Sequence, residues 1–292
     1  MTRKIDTKSD TKSLLAVVLT YFPDKTLLLE NVNAFIDYVD KVVIWNNTPN
    51  DVTHDSCKLA ITSDKIIYKG IGENIGISKA LNYVWNYAAD KGYDYLLTMD
   101  QDSVWVNLES FMKQVLAFEN KCNIFGPEFK LNECCSIKEG DYRITSGMLI
   151  PIKVLNRIGG YCERFLIDGI DVELCYRAKQ FGYKTYYVSG ATLRHHAGSH
   201  LECRFCGYNF ISDGYSASRI YEIIRNHVWI YKKYDVKLVS FKYVFKHYYI
   251  EMPIKILLGE NKKKEKIWAY FKGLFDGLCY GLNTPPRKSR TI

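Results

Sequence analysis

The sequence predicts an α/β fold built on a doubly wound parallel sheet, followed by a helical, basic C-terminal extension. Three observations predict it. Short apolar runs rich in β-branched residues alternate with amphipathic helical stretches from Leu14 to Asp100. Polar or glycine-rich segments follow those runs, where a parallel sheet presents the carboxyl ends of its strands. The last stretch combines lysine with aromatic residues: residues 212–292 hold 16 Lys/Arg against 7 Asp/Glu, while residues 1–211 hold 24 against 25.

Taken in order, Leu14–Thr20 reads as a buried strand. Asp24 then caps a helix whose apolar positions are Leu28, Val32, Phe35 and Val39. Val42–Trp45 and Ile66–Tyr68 are the next strands. After Gly72 and Gly76 comes a helix with Ile77, Leu81, Val84, Trp85 and Ala88 on one side. Tyr95–Met99 is a buried strand running into Asp100. Further strands are expected at Cys122–Phe125, Thr145–Ile150 and Tyr183–Val188. Short helices are expected at Lys153–Ile158, stopped by Gly159-Gly160, and at Val172–Phe181, ended by Gly182. From about Ser212 the pattern is helical, and the tail after Asn283 reads as flexible.

Composition narrows the class. Of 292 residues, 47% are apolar and 25% charged, which is enough to build a core and excludes disorder as the main theme. There is no internal repeat, and the longest apolar runs are strand-length, too short to span a bilayer. The polar start MTRKIDTKSDTKS has no signal-peptide pattern, and the nine cysteines are expected to be reduced thiols. A cytoplasmic location follows as the expectation. The net charge of +8 belongs to the C-terminal end, so attraction to an anionic partner is local.

Four segments carry candidate chemistry. Asp100-Gln101-Asp102 ends a buried strand; in extended backbone its two carboxylates share a side and suit Mg²⁺ or Mn²⁺ held with a substrate's phosphates. Gly70–Gly76 precedes a helix, where backbone can approach an anion closely; it is neither a dinucleotide fingerprint nor a P-loop. Phe165–Glu173 places Asp168, Asp171 and Glu173 at a helix start. They could simply cap that helix, or one of them could serve as a base kept ionised by the helix N-terminus. His195-His196 supplies imidazoles for a first-row metal. His200, Cys203 and Cys206 raise a competing zinc reading at an unusual spacing.

Together these segments resemble glycosyltransferase family 2, the inverting enzymes of the GT-A (nucleotide-diphospho-sugar transferase, Rossmann-like) fold, and most of all bacterial rhamnosyltransferases of surface polysaccharide synthesis. The resemblance covers roughly residues 14–230. It rests on Val18-Leu19-Thr20-Tyr21, Asn74-Ile75-Gly76 with Ser78 and Ala80, Leu97 to Ser103, Thr145-Ser146-Gly147, Gly159-Gly160, Phe165 to Arg177, His195-x-x-Gly198, and Arg219-Ile-Tyr221 with Arg225-Asn226.

The resemblance implies a catalytic domain over 14–211, with a nucleotide-binding half at about 14–103 and an acceptor and base half at about 104–211, and a helical basic region over 212–292. It implies that Thr20, Tyr21, Asn46, Asn74, Gly76, Ser78, Asp100 and Gln101 bind the nucleotide-sugar. Asp102, Asp100 and His195 would hold a divalent cation, Mn²⁺ or Mg²⁺. Asp171 matches the family's base, with Glu173 and Asp168 beside it. Ser146, Gly147, Arg219 and Arg225 would meet acceptor or phosphate. The implied donor is dTDP-rhamnose, with UDP-sugars as the alternative, and the implied acceptor is a lipid-linked saccharide. Two positions depart from the family pattern. Asn46-Asn47 stands where an Asp-Asn pair is usual, and Ile170-Asp171 replaces a Glu-Asp doublet, leaving Asp168 as a substitute for the missing acid.

Three other readings compete. Galactosyl, glucosyl or N-acetylhexosaminyl transfer would use the same fold. A nucleic-acid-binding protein would explain the basic C-terminal third, but no DNA- or RNA-binding motif accompanies the charge. A nonenzymatic scaffold would not require Asp100, Asp102 and Asp171 together. Phe241, Tyr243 and Phe245, interleaved with lysines and followed by Lys262–Lys264 and Lys266, further suggest peripheral contact with an anionic membrane.

Overall fold

A computed structural model describes residues 12–61, 63–128, 135–195, 201–234, 236, 242 and 244–281. These group into two compact units. The first comprises the described residues up to Ile75, Lys79–Tyr161 and Ala178–His195. The second comprises Gly76–Ser78, Cys162–Arg177 and the described residues from 201 onward.

The first unit is built on one eight-stranded sheet. Its strands are β1 (Leu14–Thr20), β2 (Lys41–Asn46), β3 (Ile66–Gly70), β4 (Tyr95–Asp100), β6 (Ile124–Pro127), β7 (Ile137–Gly140), β8 (Met148–Pro151) and β9 (Thr185–Val188), in the order β3-β2-β1-β4-β8-β6-β9-β7. From β3 to β4 all pairings are parallel. β8 then runs antiparallel between β4 and β6, and β7 is an antiparallel edge. The sheet is therefore mixed rather than wholly parallel, with the expected doubly wound half intact. All seven residues of β1 are buried, as an inner strand covered on both faces requires. A separate small pair joins β5 (Ser103–Trp105) to β10 (Leu193–His195), antiparallel.

The helices of this unit start and stop for identifiable reasons. The Asp24 carboxylate accepts from the N–H groups of Thr26 and Leu27 at 2.8 and 3.0 Å and caps α1 (Lys25–Asn33). Phe35 and Val39, expected on that helix, lie beyond it, on either side of a single 3₁₀ turn at Ile36–Tyr38. α2 (Ile77–Asp90) and α3 (Leu108–Ala117) flank the sheet strands in sequence, and α4 (Ile152–Ile158) ends at Gly159, whose φ of 80° is left-handed. Gly160 is needed for another reason. A Cβ there would sit 2.3 Å from the Trp85 ring, and its absence lets Tyr161 exchange two hydrogen bonds with the Asn82 amide, at 2.7 and 2.9 Å. The strand expected at Thr145–Ile150 begins only at Met148, because Gly147 adopts a φ of 78° and Thr145–Gly147 turns.

The second unit contains most of α5 (Ile170–Gln180), the hairpin β11 (Leu201–Phe205) and β12 (Tyr208–Ser212), and α6 (Ala217–Lys233). A π-helical turn at Phe245–Glu251 runs into α7 (Met252–Gly259), and α8 (Lys263–Cys279) follows. Ile220, Ile223 and Ile224 of α6 form a small core with Met252, Ile256 and Tyr270. Two glycines let α8 approach α6 closely: a Cβ at Gly273 would lie 2.7 Å from the Tyr221 carbonyl, and one at Gly277 2.7 Å from Val228. Lys266, read from the sequence as surface charge, is instead buried, with its Nζ 2.5 Å from Glu260 Oε2. Among the described residues no helix is long and apolar enough to cross a membrane. Phe241 and Tyr243 lie outside the described residues.

Candidate active site

The carboxyl ends of β1, β2 and β4 carry the residues expected at the donor. Thr20 is buried, and its hydroxyl donates to the Trp45 carbonyl at 3.1 Å, stitching β1 to β2 at their ends. Beyond it, the Tyr21 ring is exposed while its backbone is held by the Gln101 side chain. The Tyr21 N–H reaches Gln101 Oε1 at 2.7 Å, and Gln101 Nε2 donates to the Tyr21 carbonyl at 3.2 Å. One amide thus supplies the rung that the parallel ladder lacks past the strand ends.

Asp100 is the last residue of β4, and Gln101 and Asp102 form a turn into β5. The extended-backbone argument for a shared side therefore does not hold across this segment; a turn, not pleat alternation, sets the two carboxylates. Both residues are half-buried. The Asp100 backbone is fixed at both ends: its N–H donates to Ser146 Oγ at 3.2 Å, and its carbonyl accepts from Asn31 Nδ2 at 2.7 Å. Gly147 N–H binds the Thr98 carbonyl at 2.8 Å, and a Cβ at Gly147 would meet Leu193 at 2.8 Å. Ser146 and Gly147 buckle the end of β4. As for metal chemistry, carboxylates are the hard oxygen donors that suit Mg²⁺ or Mn²⁺, which need only one or two of them when a diphosphate supplies the rest. Among the described residues no three His, Cys, Asp or Glu side chains cluster so as to hold an ion by themselves, so Asp100 and Asp102 fit one only as carboxylate donors whose remaining ligands a diphosphate would supply. The His195 side chain, the other expected ligand, lies outside what is described.

Asn46 ends β2 with its amide oriented by two partners. Nδ2 donates to Asp51 Oδ2 at 2.8 Å, and Oδ1 accepts from the Thr48 N–H at 2.9 Å. Asp51 also accepts from the N–H groups of Asp55 and Ser56, at 3.0 and 2.9 Å. Bonding to Ser56 above all, and to Asn46, holds its carboxyl well below the usual range. An acid is therefore present beside Asn46, five residues along the chain from it, a feature that sequence reading missed. Asn74 is exposed. In the second unit, Gly76 has a φ of 81°, and a Cβ there would lie 3.1 Å from the Leu166 carbonyl, which accepts the Ile77 N–H at 2.9 Å. The Ser78 hydroxyl is buried with no hydrogen-bond partner among the described residues, an arrangement that costs about 1–3 kcal/mol unless something else satisfies it.

The three acids around the start of α5 have different surroundings. Asp168 has a φ of 59°, uncommon for a residue with a side chain, and Gly169 follows at 78°. Arg219 of α6 binds the Asp168 carboxylate through Nε and Nη2. Asn226 Nδ2 donates to the carbonyls of Ile167 and Asp168 at 2.9 and 2.8 Å. Arg225 Nη2 in turn donates to Asn226 Oδ1 at 2.8 Å, while its guanidinium lies 4.4 Å from the Trp229 ring centroid and pairs with Glu222. Arg219 and Arg225 thus brace the turn before α5. Glu173 is buried and accepts from Arg177 at 2.9–3.3 Å and from the Tyr234 hydroxyl at 2.6 Å. Burial, then the Glu173 charge, pushes the Tyr234 phenol far up. Asp171 is half-buried in the first turn of α5, with Oδ1 accepting the Val172 N–H at 2.8 Å.

The zinc reading finds Cys203 buried on β11 and Cys206 exposed at the hairpin turn, with His200 outside the described residues. All eight cysteines among the described residues are free thiols.

No family model matches the chain. It is 28% identical over 256 residues to the dTDP-rhamnosyl transferase RfbF of Shigella flexneri, covering 78% of this chain and 82% of that protein. Among solved structures, GalNAc-T7 with UDP, GalNAc and Mn²⁺ superposes with a TM-score of 0.59 at 12% identity, over 93% of this chain and 55% of that one. The chain thus spans little more than half the length of GalNAc-T7. The Pyrobaculum calidifontis mannosyltransferase PcManGT, with GDP-Man and Mn²⁺, gives 0.52 at 14% identity over 90% of this chain and 74% of that one. S. aureus TarS 1-349 gives 0.52 at 11% identity over 91% and 81%. The chain has the GT-A fold of these structures and is similar in sequence to a dTDP-rhamnosyl transferase. In this GT-A fold the acid-bearing turn after β4 occupies the strand-end position at which open α/β sheets bind ligands.

Proposed function

We propose that this glycosyltransferase moves rhamnose, with inversion, from dTDP-rhamnose to a saccharide acceptor that is lipid-linked, working in the cytoplasm. The observation that carries the donor half is the clamped turn at the end of β4, where Gln101 fixes Tyr21 and Ser146 fixes Asp100. The likeness to a dTDP-rhamnosyl transferase supports the choice of donor. Thr20, Tyr21, Asn46, Asn74, Gly76 and Ser78 are assigned to the nucleotide-sugar, and the orphaned Ser78 hydroxyl supports that assignment.

A divalent cation held by Asp100, Asp102 and His195 would neutralise charge on the diphosphate as it leaves. Asp171 is assigned as the base. It takes the proton of the acceptor hydroxyl while that oxygen bonds to the anomeric carbon and the anomeric carbon–diphosphate bond breaks, its electron pair leaving with dTDP. A single displacement inverts the anomeric centre. Glu173, bound by Arg177 and Tyr234, and Asp168, bound by Arg219, are positioning residues in this scheme.

Thermal shift against dTDP-rhamnose, UDP-sugars and GDP-sugars, with and without Mn²⁺, tests the donor. Stabilisation by dTDP-rhamnose above all, enhanced by Mn²⁺, is the expected result. Equal or greater stabilisation by a UDP- or GDP-sugar would move the assignment to galactosyl, glucosyl, N-acetylhexosaminyl or mannosyl transfer.

A further inference from the structure

Helix α8 is apolar on two opposite faces, and only one of them is covered. Ala269, Tyr270, Gly273 and Gly277 are buried against α6. On the other side Trp268, Phe271, Phe275 and Leu278 are 67, 59, 59 and 57% exposed. Their spacings of three, four and three residues place these four large side chains in one stripe along the helix. A solvent-facing stripe would normally be polar. Four bulky apolar groups in a row are the mark of a surface that meets something else.

Charge identifies what it meets. Lys262, Lys263 and Lys264 are exposed at the start of the helix, and Lys272 is exposed one turn after Trp268. The acids of α8 offset only part of this charge: Asp276 accepts a hydrogen bond from Tyr221 of α6 at 2.8 Å, and Glu265 pairs with Lys262 at 3.9 Å, which leaves Lys263, Lys264 and Lys272 in excess. α7 repeats the combination, with Ile254 and Leu257 exposed. A second copy of this chain, docked through the same stripe, would bring like lysines together across a two-fold axis. An anionic bilayer instead accepts the aromatic rings at its headgroup level and attracts the flanking lysines. α8 has 17 residues and so is about 25 Å long, and it does not qualify as a membrane-crossing helix. It is suited to lying in the interface plane.

We propose that the outer face of α8, through Trp268, Phe271, Phe275 and Leu278 with Lys262–Lys264 and Lys272, is a docking surface for anionic lipid. This inference is independent of which donor the chain uses, and it differs from a purely Coulombic basic tail in requiring the rings.

Vesicle flotation of the full chain tests it, using phosphatidylcholine vesicles with and without phosphatidylglycerol. The parent should float with the anionic vesicles. A Trp268→Ser, Phe271→Ser, Phe275→Ser variant should bind them at least about tenfold more weakly, while Lys263→Glu, Lys264→Glu should weaken binding mainly at low salt. Because these side chains are exposed, both variants should keep the parent's melting temperature. Trp268 emission should shift to the blue on adding anionic vesicles, a change that Trp268→Phe removes. Equal binding by the triple variant would overturn the proposal, as would a parent that ignores vesicles and dimerises through this face in sedimentation experiments.

Discussion

Arg219 closes on Asp168 through a two-pronged contact, Nε to Oδ2 at 3.0 Å and Nη2 to Oδ1 at 3.2 Å. This pair joins α6 to a residue in left-handed backbone three positions before Asp171. Holding a non-glycine residue there costs on the order of 1 kcal/mol, so the turn needs an external brace. The pair is partly exposed, and its own stabilisation is modest.

Arg219→Lys keeps the charge and loses the fork. We expect kcat to fall roughly tenfold, with donor affinity and melting temperature little changed, because a displaced turn misplaces Asp171 more than it unfolds the unit. Asp168→Asn, which tolerates left-handed backbone, should fall by less than Arg219→Ala. Steady-state kinetics beside donor-binding calorimetry checks both. A change confined to KM for the donor would show that Arg219 binds phosphate instead.

Asp171→Asn preserves shape and removes basicity. kcat should drop by roughly 10²–10⁴ while donor binding persists. Glu173→Gln should behave differently. It removes the buried charge that pairs with Arg177 and leaves one acceptor oxygen where Arg177 and Tyr234 now use two, so its principal signature should be a melting temperature lowered by several degrees, corresponding to a loss of about 3 kcal/mol. If Glu173→Gln abolishes turnover at an unchanged melting temperature, the base has been assigned to the wrong acid.

Asp102→Ala should remove the Mn²⁺-dependent part of nucleotide affinity and leave the metal-independent part. Titration calorimetry with dTDP, with and without Mn²⁺, separates the two. Undiminished metal dependence in the variant would mean that Asp102 does not hold the ion.

The parts of this molecule legible in its sequence are those where local pattern and tertiary role coincide. β1 and β4 read as buried strands because an inner strand of a parallel sheet has no polar face to show. Asp24 announced its helix, and Gly159 ended another. The hairpin β11–β12 was missed although a signal was present: Cys206-Gly207 is a two-residue turn with both residues at positive φ, the type that closes tight hairpins. β5 and β10 are three residues each, too short to show any period. The bracing of Ile167 and Asp168 by Asn226 could not be read locally at all, since nearly sixty residues separate the partners. Lys266 looks like its neighbours Lys262–Lys264, and only the burial of Glu260 beside it sets it apart. Likewise, the sequence pattern drew attention to Phe241, Tyr243 and Phe245, of which Phe245 is exposed and the other two lie outside the described residues, while the exposed apolar stripe on α8 went unread.

His227 provides a pH test of the second unit. Its ring is half-buried on α6, with the Tyr248 ring centroid 4.6 Å away, and its buried Nδ1 has no hydrogen-bond partner among the described residues. Burial first, and then the nearby His247, push its pKa down from 6.5 to about 4. His247 itself faces Asp213 at 3.4 Å and Glu251 at 3.6 Å, so cationic and anionic groups both lie in the neighbourhood. The sign follows from linkage. Above pH 6.5 His227 is neutral in folded and unfolded chains alike and makes no difference. Between 6.5 and about 4 the unfolded chain takes up a proton that the folded one refuses, so stability falls as pH falls, by at most about 3 kcal/mol. Denaturant melts at pH 7.5, 6 and 5 should show this decline, and His227→Gln, which cannot titrate, should flatten it. A variant whose stability declines as steeply as the parent's would assign the acid sensitivity to other groups, with the His247–Asp213 and His247–Glu251 contacts the first to examine.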